Sequence, residues 1–124
     1  MESGGPHRIG FFLVPEFPIY AVIPATEALR IANQNSGRSL YDWSFVTLEG
    51  AAVRAGNGMM VAPDGSIEGD PGFTTLIVCA GNHPTKYLDR RLLNWLRRLD
   101  RHGVTMGALD TGAFALAAAG LLDG

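Results

Sequence analysis

The 124-residue sequence predicts a single parallel, three-layer α/β domain. Three observations point there. Strand-like segments alternate with segments of helical period, in the order β-α-β-(β hairpin)-β-α-β-α. Two of the strand segments are apolar at nearly every position, the mark of strands covered on both faces. Residues 104–124 read as a buried strand that turns sharply at Asp110 into a helix of small residues. Ala108 and Gly112 stand two positions either side of Asp110, so the backbone can bend tightly, as at a nucleophile elbow.

In chain order, residues 8–14 form the first strand, with Ile9, Phe11, Phe12, Leu13 and Val14 nearly continuous; Pro15 and Pro18 end it. A helix over residues 20–35 follows. Val22, Ile23, Leu29 and Ala32 mark its apolar side, and Glu27 and Arg30 its wet side. Pro24 is compatible with that helix if it falls in the first turn. Asn35-Ser36-Gly37 is a helix stop. Residues 42–49 form the second strand, residues 50–60 a turn-rich β hairpin, and Pro63-Asp64-Gly65 a further turn. Residues 74–80, through Leu76-Ile77-Val78-Cys79, are the strongest buried strand, ending in the loop Gly81-Asn82-His83-Pro84. Residues 88–102 form an amphipathic helix with Leu88, Leu92, Trp95, Leu96 and Leu99 on one face, closed by Gly103. A strand over residues 104–109 and a helix over 112–119 complete the order, after which a further strand is expected. The chain therefore reads as the N-terminal part of a longer protein.

Apolar residues make up 47% of the chain and charged residues 18%, enough for a packed core. The formal net charge of −2 argues against a nucleic-acid-binding module, which carries a basic footprint. One cysteine permits no internal disulfide and fits a reducing compartment. Residues 1–7 lack a signal peptide's basic start and apolar run, and no apolar run spans a bilayer. A cytoplasmic protein without membrane contact is the expectation.

The residues that carry chemistry gather at strand ends. Asp110 and Thr111 cap the following helix, line a ligand site at the carboxyl end of a central strand, or do both at once. A third possibility makes Asp110 a covalent nucleophile, though the sequence places no base beside it. Gly81 and Asn82 end the neighbouring strand, where a glycine lets a backbone N–H approach an anion or carbonyl oxygen; a plain turn is the alternative. His83 is within reach of the same site. Cys79, inside an apolar run, reads as an inert buried thiol. No His or Cys spacing suits a metal, and no glycine loop cradles a phosphate or dinucleotide, so no cofactor is expected. The Arg90, Arg91, Arg97, Arg98 and Arg101 series, interleaved with Asp89 and Asp100, reads as a solvated helix face. Phe17, Tyr20, Phe114 and Tyr87 are core residues or an aromatic cage for a cationic ligand whose charge Asp110 would meet.

Several of these pieces occur together in a known pattern. They are residues 9–15 (Ile-Gly-Phe-Phe-Leu-Val-Pro), 27–33 (Glu-Ala-Leu-Arg-Ile-Ala-Asn), 36–43 and 77–81. To these are added Gly107-Ala108-Leu109-Asp110-Thr111-Gly112-Ala113-Phe114 and residues 119–124 (Ala-Gly-Leu-Leu-Asp-Gly). With them the chain resembles the N-terminal ThiJ/PfpI-like, class I glutamine amidotransferase-like sensor domain of GlxA-type AraC-family transcriptional regulators. The resemblance implies a flavodoxin-like sandwich with a mostly parallel sheet and a small hairpin insertion. In enzymes of the wider superfamily the elbow carries Cys and a Glu of the first helix lies beside it; here those positions are Asp110 and Tyr20. Both departures imply that the catalysis is gone and a pocket remains. The resemblance implies a homodimer that senses a small-molecule effector, a cationic metabolite of the arginine, betaine or carnitine kind. DNA would be bound only through a helix-turn-helix domain absent from these residues. Two alternatives stand beside this: a hydrolase-type or amidotransferase-like enzyme using Asp110 as nucleophile, and a domain that only dimerises, its pocket packed shut by Tyr20 and Phe114.

Overall fold

The computed structural model describes residues 6–69 and 72–122. Most of the polar start (residues 1–5) and the last two residues of the terminal Ala119–Gly124 motif lie outside that range. The elements are β1 (His7–Leu13), α1 (Ile19–Ser36), β2 (Tyr41–Thr47), β3 (Val53–Arg54), β4 (Met60–Val61), β5 (Gly65–Ser66), β6 (Thr75–Ala80), α2 (Arg90–Arg101), β7 (Thr105–Asp110) and α3 (Ala113–Ala118). Five strands form a parallel sheet in the order β5-β2-β1-β6-β7, and β3 and β4 pair antiparallel in a separate ribbon.

The alternation of side chains across the sheet produces the three layers. From β1, Ile9, Phe11 and Leu13 join Cys79, Phe17 and Val22 in a core between the sheet, α1 and the β3–β4 ribbon. Phe12 and Val14 face the other way and join Val46, Leu76, Val78, Leu92, Trp95, Leu96 and Leu116 beneath α2 and α3. Both faces are thus covered, which is why β1 and β6 read as continuous apolar runs.

Local chemistry sets the helix ends. Asp89 accepts the Arg91 backbone N–H at 2.7 Å and caps α2. Gly37, at φ 68°, closes α1. The Asn33 side chain both donates to the Tyr41 carbonyl and accepts from the Tyr41 N–H, each at 2.9 Å, which sets where β2 begins.

Five expectations are corrected. Pro24 sits in the second turn of α1, so the Tyr20 carbonyl loses its usual intrahelical donor. Ile23 is 51% exposed, and the inward stripe of α1 runs through Val22, Ala25, Thr26 and Leu29. The Thr26 hydroxyl on that stripe is satisfied by the carbonyls of Val22 and Ile23. β2 begins one residue earlier than expected and ends at Thr47. The turn after Pro63 runs into β5, a two-residue strand parallel to β2 that is too short to leave an apolar pattern. Arg97 is more than a solvated charge: its guanidinium donates to the carbonyls of Ala119 and Ala118 at the end of α3.

Candidate functional site

The carboxyl ends of β1, β6 and β7 come together beside the start of α1. Ala80 pairs with Asp110 in the β6–β7 ladder, so Gly81 and Thr111 leave the sheet side by side. The Thr111 hydroxyl donates to the Gly81 carbonyl at 2.6 Å and ties the two exits together. Asp110 has φ 55°, in the left-handed region that costs a non-glycine residue of order 1 kcal/mol or more. The turn then packs tightly: a Cβ at Gly112 would overlap the Val78 carbonyl, so the small residue expected there is a steric requirement.

This bend turns the Asp110 carboxylate away from α3. The N-cap of α3 is Gly112, with no side-chain hydrogen bond, and no acidic residue lies in its first turn. The helix-capping reading of Asp110 and Thr111 is therefore not what the structure shows. Asp110 instead accepts a hydrogen bond from the Tyr20 hydroxyl at 3.2 Å. That bond, and then the carboxylate's charge, raises the Tyr20 pKa above its ordinary value, so the phenol remains the neutral donor. No Lys, Arg or His is paired with Asp110 among the described residues.

Asp110, Tyr20, Gly81 and Asn82 line one cavity of about 240 Å³. Pro18 and Ile19 supply its apolar side, and the remaining wall was not anticipated: Glu16 after β1, and Gly56 and Asn57 from the β3–β4 turn. Glu16 also has a positive φ, 72°. Its N–H donates to the Arg54 carbonyl at 2.8 Å, and Gly56 donates to the Phe17 carbonyl at 2.9 Å, which fastens the ribbon to the end of β1. A Cβ on Gly81 would overlap the Glu16 carbonyl oxygen. The glycine at the end of β6 thus answers to that close backbone approach.

The Glu16 carboxylate is well partnered. It accepts from the Tyr87 hydroxyl at 2.5 Å, meets His83 Nδ1 at 2.9 Å and lies 3.8 Å from Lys86 Nζ. The Tyr87 bond first, and the His83 bond next, hold its pKa below the ordinary carboxyl value. His83 therefore reaches the site through Glu16 and does not line the cavity. Phe17 is 1% exposed and belongs to the core against α1. Phe114 is 52% exposed outside the cavity, and Tyr87 is bound to Glu16, so Tyr20 alone of the four aromatics faces the pocket and no cage forms. Tyr20, itself 72% exposed, and Phe114 do not pack the pocket shut. Burial pushes the Cys79 thiol up to about 12, in keeping with an inert sulfur. Among the described residues, no three His, Cys, Asp or Glu side chains gather as a metal site would require, and no helix is long and apolar enough to cross a membrane.

The chain is similar to curated transcriptional regulators over nearly its whole length. It is 44% identical over 114 residues to the HTH-type transcriptional regulator CdhR of Pseudomonas aeruginosa, covering 92% of this chain and 34% of that protein. It is 42% identical over 124 residues to the HTH-type transcriptional regulator GlxA of Rhizobium meliloti, covering 98% and 38% respectively. Among solved structures, an AraC family transcriptional regulator from Pseudomonas putida superposes with a TM-score of 0.85 at 29% identity, over 95% of this chain and 63% of that one. A ThiJ/PfpI family protein from Pseudomonas syringae superposes at 0.75 over 97% of this chain and 48% of that one; at 19% identity it speaks to the fold alone. No family model matches. The chain spans about a third of the length of the curated relatives it matches.

Proposed function

We propose, from the ThiJ/PfpI-like fold and the similarity to HTH-type transcriptional regulators, that the chain is a non-catalytic sensor of a small cationic metabolite. The observation that carries this reading is the state of Asp110. A positive-φ turn aims its carboxylate at a cavity, and its only side-chain hydrogen-bond partner among the described residues is the neutral Tyr20 hydroxyl. Such an anion attracts a quaternary ammonium by charge and accepts a charge-assisted hydrogen bond from a guanidinium or protonated amine. The cavity size suits a metabolite rather than a peptide.

The same observation favours binding over chemistry. A nucleophilic carboxylate needs an acid or base to serve its leaving group; of the two groups nearby, the Tyr20 phenol is held neutral with its pKa raised and the Glu16 carboxylate is engaged by Tyr87, His83 and Lys86. In this reading the domain dimerises and reports effector binding to a helix-turn-helix segment of a longer protein in the cytoplasm. Asp110, Tyr20, Asn82 and Gly81 contact the ligand, while Thr111, His83 and Phe17 shape the walls from behind.

Calorimetric titration of wild type and Asp110→Ala with arginine, betaine and carnitine tests it. Binding to wild type and its loss in the variant is expected. Equal binding by both proteins removes Asp110 from the site.

A further inference from the structure

Outside the Asp110 turn, the densest group of titratable side chains among the described residues is the one on Glu16. Residues 82–88 have no helix or strand. Their internal backbone bonds are two long ones, Lys86 N–H to the His83 carbonyl at 3.2 Å and Leu88 N–H to the Thr85 carbonyl at 3.4 Å. The Glu16 carboxylate gathers three of their side chains, Tyr87, His83 and Lys86. Lys86 also sits 5.2 Å above the Tyr87 ring.

This segment is a shared wall. On one side Glu16 and Asn82 line the ligand pocket. On the other, Lys86, Tyr87 and Leu88 line a second, mainly apolar cavity of about 410 Å³, floored by Phe12, Val14 and Leu92. The Glu16 backbone is pinned by the Arg54 carbonyl and by its contact with Gly81. A competitor for its carboxylate therefore displaces the segment more readily than Glu16 itself.

We propose that Glu16 couples the two cavities: its carboxylate holds residues 82–88 in place through Tyr87, His83 and Lys86, and a cationic ligand in the pocket competes for that carboxylate and frees the segment. The Lys86 ammonium and the incoming cation then contend for one anion, so binding and release are reciprocally linked. This gives ligand occupancy a structural output at the mouth of the second cavity. It rests on the reading that the pocket takes a cation.

The test joins calorimetry to amide hydrogen exchange on the 124-residue chain, with arginine, betaine and carnitine as probes. Competition predicts that Lys86→Ala binds the active probe more tightly, by about threefold for a partly exposed ion pair. A wall that is merely structural predicts weaker binding instead. Saturating probe is expected to speed exchange at the Lys86 and Leu88 amides of wild type, and Glu16→Gln to speed it without any probe. A probe that binds wild type but not Asp110→Ala, with unchanged affinity for Lys86→Ala and unchanged exchange at residues 83–88, overturns the coupling and leaves the sensor reading standing. No binding by any of the three probes removes both.

Discussion

Glu16 and Asp110 are built alike and used differently. Each is a carboxylate just past or at the carboxyl end of a parallel strand, each has a positive φ, and each lines the same cavity. Glu16 is surrounded by Tyr87, His83 and Lys86, whereas Asp110 has a single neutral partner, Tyr20. The backbone device alone therefore does not define a ligand contact. The surrounding groups decide which carboxylate is already engaged, so that a guest must displace its partners, and which is open to a guest from the start.

The strongest way to break the pair is through the glycines that let the backbones approach. Gly112→Ala sets a Cβ against the Val78 carbonyl and disturbs the Asp110 turn; a loss of about 2–3 kcal/mol is expected from overpacking, measured by urea unfolding. Gly81→Ala sets a Cβ against the Glu16 carbonyl and is expected to cost about 2 kcal/mol by the same mechanism.

The charges come next. Asp110→Asn keeps the shape of the side chain and removes its charge, so affinity for the bound probe should fall by about 10- to 100-fold, as for the loss of a desolvated charged contact. Glu16→Gln should leave that affinity far less changed, because what a cation gains from the Glu16 carboxylate is offset by the Tyr87, His83 and Lys86 contacts it displaces.

Acid should separate the two further. Contacts that hold the Glu16 pKa below its ordinary value of 4.5 favour the folded ionised form. Their contribution is present above 4.5 and lost as pH falls through the lower folded-state value. The stability gap between wild type and Glu16→Gln, read from thermal unfolding at a series of pH values, should therefore be full at neutral pH and close in acid.

The smallest expected effect concerns the strain itself. Asp110→Gly relieves the positive φ and should gain about 0.5–1 kcal/mol in urea unfolding while abolishing probe binding. Glu16→Gly relieves the same strain but forfeits three side-chain contacts, so its gain should be smaller or reversed.

The sheet was legible because its strands carry their burial in their composition: Phe11, Phe12 and Leu13, like Leu76 and Val78, are covered whichever way they point. The Asp110 turn was legible because a bend this tight demands small residues at fixed offsets, and Gly112 meets that demand. The α1 face was harder. Ile23 fits an apolar stripe by spacing, yet tertiary packing leaves it half exposed. Half of the pocket wall was illegible for a different reason. Glu16 acquires its meaning from His83 and Tyr87, 67 and 71 residues away, and Asn57 from the docking of a hairpin whose strands have two residues each. Such contacts leave no local period. A carboxylate between Pro15 and Phe17 at a strand's carboxyl end was the one available signal.

The most direct measurement is a parallel titration of wild type, Asp110→Asn and Glu16→Gln with whichever of arginine, betaine and carnitine binds. If Asp110 is the charge kept for the ligand, Asp110→Asn loses most of the affinity and Glu16→Gln retains it. Equal affinities for wild type and Asp110→Asn, or the larger loss falling on Glu16→Gln, would contradict that assignment.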